Sequence, residues 1–212
     1  MILSGCATLG SHYDVEISGL ARSDSGGPGH TYFLLPSDSS VGVNDLEFAE
    51  YAKYVDYALS KAGHQKAKSI DDASEAIFLY YGIGNPGPHR YTFWLPGSDT
   101  TESSSLTAPD NIIAYGTWGI SGVGGDQQNQ GSCRYISLSA VDLVKYKEER
   151  HVLESWRMEI SSTGSSNDLR LVFPVMIAAS ENYLGQDTRK ILYRTLTDED
   201  PQVVDMRAVG VP

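Results

Sequence analysis

The chain has 212 residues, enough for one sizeable core and at most two small ones. Its formal charge is −11 and its pI about 4.8, so phosphate repels it. That argues against sequence-independent nucleic-acid binding and against adsorption to anionic lipid by charge alone. No apolar run approaches the ~20 residues needed to span a bilayer.

The chain begins Met1-Ile2-Leu3-Ser4-Gly5-Cys6-Ala7-Thr8. Leu3-Ser4-Gly5-Cys6 has the form of a bacterial lipobox. There, small residues admit a signal peptidase that cuts just before a diacylglyceryl-modified Cys. The usual basic and apolar regions of such a signal are missing ahead of it. A start placed too late, or a trimmed sequence, would account for that. Ala7 is not the Asp associated with inner-membrane retention, so outer-membrane delivery is expected. With Cys6 lipidated, Cys133 is left alone and reads as a small buried hydrophobe. A Cys6–Cys133 disulfide is the alternative in an oxidising periplasm.

Tyr13, Val15 and Ile17 alternate with polar residues, the pattern of a half-buried strand. The tether from Cys6 then reaches only about 20–25 Å, holding the domain near a membrane surface. Ser23 to His30 reads as a turn, and Thr31 to Leu35 as a strand stopped by Pro36. Asn44 is placed to cap a helix, with Glu47 completing a capping box. Phe48, Tyr51, Ala52, Val55, Ala58, Leu59 and Ala62 form its buried face, and Gly63 ends it. Tyr54 and Tyr57 lie on the flank of that face or form a contact surface. Asp71 to Glu75 reads as an acidic turn. Ala76 to Tyr81 is continuously apolar, as a central strand would be.

Gly82-Ile83-Gly84-Asn85-Pro86-Gly87 matches the dinucleotide fingerprint by letter. The fingerprint needs a helix opening at the glycines. Here Pro86 and Pro88 intervene and His89 to Trp94 reads as a strand, so the match is rejected. Ser98 to Gly131 is long and irregular, a kind of segment that tends to be functional or disordered. Tyr115 and Trp118 within it are candidate partner-binding residues, or else they pin a hairpin extension to the domain. Gly119 to Val123 resembles a nucleophile elbow but lacks its closing Gly.

Cys133 to Leu143 and Val152 to Ile160 read as two long strands of a hairpin, joined by a polar turn at Lys145 to Arg150. Ser162 to Asn167 is a small polar loop, and Asp168 is placed to cap a helix. Leu169, Val172, Phe173, Met176, Ser180 and Tyr183 form one helical face. Leu171, Val175 and Ala178 make the other face apolar, as in a helix buried on more than one side. Pro174 implies a kink or a later start, and Gly185 is a stop. The loop's free N–H groups offer an anion site, against the plainer reading of a turn feeding a core helix. Arg189 to Thr197 reads as a last strand, and Pro201 opens a final short helix.

The lipobox, the A-L-S-K-A-G-H helix end at 58–64, the A-I-F-L-Y-Y-G-I-G strand, the Trp156 strand and S-T-G-S-S-N-D-L-R-L-V-F-P-V at 162–175 carry a resemblance. Together they resemble uncharacterised Gram-negative lipoproteins of the domain-of-unknown-function class. The resemblance covers most of the chain after Cys6. It departs in the shortened signal and across 98–131. It implies an envelope α+β domain and assigns no catalytic residue.

The five His show no metal-ligand spacing, and no metal or cofactor is expected. The Asp71–Asp72 and Asp198–Asp200 runs read as solvated turns and helix starts. A Ser/His/Asp triad is defined in space rather than by order, so no residue is named catalytic. The expected fold is α+β: a mostly antiparallel sheet of about six to eight strands with two principal helices packed on it. Residues 1–12 are a lipobox remnant and tether, and 13–212 one periplasmic domain. The expected function is a lipid-anchored binding or accessory module for another envelope protein or lipid component, at the periplasmic face of the outer membrane. The alternatives are an envelope hydrolase, or a binder of a small apolar or lipid ligand between sheet and helix.

Overall fold

The computed structural model describes residues 11–23, 29–38, 40–84, 91–94, 111–114, 132–149 and 152–210. In chain order they form β1 (His12–Ala21), β2 (Thr31–Pro36), α1 (Leu46–Lys61), β3 (Gln65–Lys66), β4 (Glu75–Ile83), β5 (Tyr91–Trp94) and β6 (Asn111–Ala114). There follow β7 (Ser132–Asp142), α2 (Leu143–Glu149), β8 (Glu154–Gly164), α3 (Leu169–Ser180), β9 (Leu192–Thr197) and α4 (Pro201–Ala208). A seven-stranded sheet has the order β3-β2-β4-β7-β8-β1-β9, and β5 pairs separately with β6.

Helices and strands both contribute, but the sheet is mixed, which corrects the expected mostly antiparallel one. β4, β7, β8, β1 and β9 pair antiparallel, while β2 pairs parallel with both β3 and β4. The cause is α1. A helical crossover turns the chain round, so the strand after it runs the same way as the strand before it. Among the described residues, α1 and α3 are the two principal helices and α4 the expected final short one, and α2 is additional. α2 occupies 143–149, taking in most of the Lys145 to Arg150 stretch read as a polar turn.

Period-two alternation sorts the strands into two faces. Val15, Ile17, Tyr32, Leu34, Ile77, Leu79, Ile136, Leu138, Trp156, Met158 and Ile160 join α1, α3 and α4 in the main core. Ala76, Phe78 and Val141 point the other way and pack with Ile70, Leu143 and Tyr146. β4 is therefore buried on both faces, which explains its unbroken apolar run.

The caps differ in detail from the sequence reading. Asp45, not Asn44, caps α1, accepting from the Glu47 and Phe48 N–H groups. Gly63, at φ 90°, ends it with Gly63 N–H donating to Ser60 O and His64 N–H to Leu59 O. Asp168 caps α3 as expected, accepting from Arg170 N–H at 3.0 Å. α3 starts at Leu169 and passes through Pro174. The Arg207 guanidinium of α4 donates to Leu171 O at 3.4 Å, at the turn Pro174 disturbs. β8 runs on to Gly164, taking in the first half of the expected loop.

Candidate functional site

Because β2 and β4 are parallel, both begin at the same end of the sheet. Glu75 opens β4 between Tyr32 and Asp142, on the face that carries Ile77 and Leu79. It is 2% exposed. Its Oε1 lies 3.9 Å from His30 Nδ1, close enough for charge to be felt but too long for a hydrogen bond. Its buried Oε2 and the buried indole N–H of Trp156 make no hydrogen bond of good geometry, although Trp156 and Ser155 both lie close enough to act on the carboxyl. Burial pushes the Glu75 carboxyl above its ordinary range. His30, Trp156 and Ser155 pull it partway back.

A cleft of about 90 Å³ opens here, lined by Arg22, His30, Ser74, Glu75, Asp142 and Lys145 among others. Ser74 Oγ donates to Thr31 O at 2.8 Å, so that hydroxyl is committed to the backbone. Asp142 Oδ1 accepts the Lys145 N–H at the start of α2. His64 belongs to the same end of the molecule. It is 4% exposed, its Nδ1 has no partner, and its ring meets Tyr32 edge-on at 6.4 Å. Burial, and then the charge of His30, lower its proton affinity. The arrangement sets a buried carboxyl near an imidazole without a direct bond between them. The Ser74 hydroxyl in the cleft, held by the Thr31 carbonyl, is not an activated nucleophile.

Two further hollows are of about 270 Å³, beside Lys61, His64, Glu181 and Gln186, and about 140 Å³, beside Glu16, Ser161 and Tyr193. All three fall below the roughly 300–1,000 Å³ of small-molecule sites. Among the described residues no group of three His, Cys, Asp or Glu side chains converges as metal ligands would.

Cys6, Tyr115 and Trp118 lie outside the described residues, as does most of 98–131; its residues 111–114 form β6. Cys133 is half-buried in β7. Burial raises its thiol, partly offset by Arg134, which suits a packed residue rather than a nucleophile. The candidate anion loop is already filled. Arg134, 2% exposed, donates to Ser162 O, Ser166 O and Ser162 Oγ, and Asp168 puts a negative charge at the helix start. Phe173 and Met176 are fully buried, and Phe173 stacks on Tyr51 with centroids 4.4 Å apart. Neither Phe173 nor Met176 lines any of the three hollows. Tyr54 is buried and Tyr57 Oη donates to Asp205 at 2.7 Å, so both serve packing around α1. Gly82 lies within β4, continuing the strand where the nucleotide fingerprint would open a helix.

Sequence reasoning assigned Glu75 to a turn and passed over His30. One signal was available. Counting back by twos from Leu79 and Ile77 reaches Glu75 on the inward face.

No family model matches the chain, and no curated protein matches it. Among solved structures, a PDZ-domain protein from Parabacteroides distasonis is similar with a TM-score of 0.43 and 11% identity, over 89% of this chain and 40% of that one. A PelC dodecamer from Paraburkholderia phytofirmans is similar with a TM-score of 0.38 and 9% identity, over 78% of this chain and 92% of that one. Likenesses this distant assign no role to the chain.

Proposed function

We propose that the protein works through its surface, as a binding or accessory module of a Gram-negative cell envelope, held to the periplasmic face of the outer membrane by lipid on Cys6. The observation that carries this reading is the closed layer between sheet and helices. Phe173, Met176, Val172 and Ile177 are all fully buried there, and none of the three hollows described above is lined by them. The Leu3-Ser4-Gly5-Cys6 motif and the resemblance to envelope lipoproteins supply the location. Tyr115 and Trp118 supply candidate contacts.

The test is to fuse a bacterial lipoprotein signal ahead of Leu3 and fractionate cells. Wild type partitions with outer membranes, whereas Cys6→Ala is soluble in the periplasm. Equal partitioning of the two proteins would overturn the anchor.

A further inference from the structure

The seven-stranded sheet has two edges of unequal character. β3 is two residues long, and its Lys66 is tied to Asp56 at 2.6 Å. β9 is six residues long, Leu-Tyr-Arg-Thr-Leu-Thr, and Tyr193 on it is 71% exposed. The register shows which of its backbone groups face outward. Gly19 C=O accepts the Thr188 N–H and Gly19 N–H donates to Thr188 Oγ1, so the odd-numbered residues of β1 turn their backbone toward the β9 side. Tyr13, Val15 and Ile17 then bond to Leu196, Arg194 and Leu192. Tyr193 and Thr195 are left pointing their N–H and C=O away from the sheet. Thr197 N–H faces the same way and is already taken by Asp200 Oδ2 at 2.7 Å. A long edge with unpaired groups is a template for another strand.

The flanks of β9 indicate what that strand is. Exposed Arg189 and Lys190 precede it; Asp198 and exposed Glu199 follow it. A segment basic at one end and acidic at the other complements itself when two copies run antiparallel. We propose that the β9 edge pairs with the β9 edge of a second copy of this chain. In the register that sets Tyr193 opposite Thr195 of the second copy, those two residues exchange main-chain bonds on each side of a two-fold axis. Arg189 then lies beside Glu199 of the second copy, and Lys190 beside its Asp198. Arg194 is the residue that opposes the pairing, because it meets its own equivalent on the axis. Its guanidinium is drawn toward Tyr183 Oη, 3.3 Å away on the helix side. The inference does not depend on the lipid anchor.

Sedimentation of the full, unlipidated chain tests it. At about 100 μM, wild type sediments at twice its 23.1 kDa. Thr195→Pro removes one outward N–H, which an edge strand tolerates; it returns the mass to that of one chain with an unchanged circular dichroism spectrum. Arg189→Glu and Glu199→Arg each weaken association about tenfold, and together restore it. Arg194→Thr strengthens it. A wild type that stays at single-chain mass overturns the proposal. So does a dimer indifferent to both Thr195→Pro and the charge exchange, since its interface must lie elsewhere or involve a different strand.

Discussion

The layer between sheet and helices has two ends that are built differently. At one, Phe173 stacks on Tyr51 and meets Tyr81 edge-on and Tyr54 at a tilt, with centroids within 6.1 Å. The phenols there keep their protons, and Tyr51 is pushed up to about 12 by burial. At the other end, His64 Nδ1 is buried without a partner, and the buried Glu75 carboxyl and Trp156 indole N–H make no hydrogen bond of good geometry. Burying apolar surface stabilises, while burying an unpaired polar atom costs free energy. One end therefore holds the fold together at any ordinary pH. The other makes its stability depend on pH.

The contrast can be broken most forcefully at Phe173. Phe173→Ala leaves a cavity among three tyrosines and should cost about 3–5 kcal/mol in chemical denaturation. A loss of well under 1 kcal/mol would mean that this end is not the anchor. Next comes Asp45→Ala, which removes the acceptor for two N–H groups at the start of α1 and should cost about 1 kcal/mol.

The polar end is sharpened by two smaller effects of opposite sign. His64 is disfavoured as a cation in the folded state, so the unfolded chain binds its proton more readily. Stability is lost as pH falls through the ordinary imidazole value of 6.5. His64→Leu should remove that acid-side loss, seen as a flatter melting temperature between pH 7.5 and 5. Glu75 runs the other way. Its raised carboxyl means the folded state holds the proton more tightly, so stability falls as pH rises past the ordinary carboxyl range. Glu75→Gln should gain on wild type as pH is raised from 4 to 7. A constant difference across that range would show that the carboxyl is not strained by burial.

The two ends were not equally legible. The helix around Phe173 could be read from its three- and four-residue spacing and from Asp168, because local geometry sets both. The strand-to-strand partners could not. β2, α1 and β4 stood in the sequence as strand, helix and strand, the order that produces parallel pairing, yet a mostly antiparallel sheet was expected. Lys145 to Glu149 reads as a polar turn because only one side of α2, through Leu143 and Tyr146, is buried. The Glu75 cleft was hidden for a different reason. It is assembled from residues ahead of β2, at the start of β4 and on β8, far apart in the chain. No local spacing joins them.

The central claim is the proposal that the protein acts by binding at its surface, and in-cell crosslinking of the chain expressed behind a lipoprotein signal, followed by mass spectrometry, tests it most directly. The account predicts one dominant envelope partner besides any self-crosslink, and loss of that partner when Tyr115 and Trp118 are replaced by Ala. Recovery of no partner, alongside a properly anchored and folded protein, would contradict it.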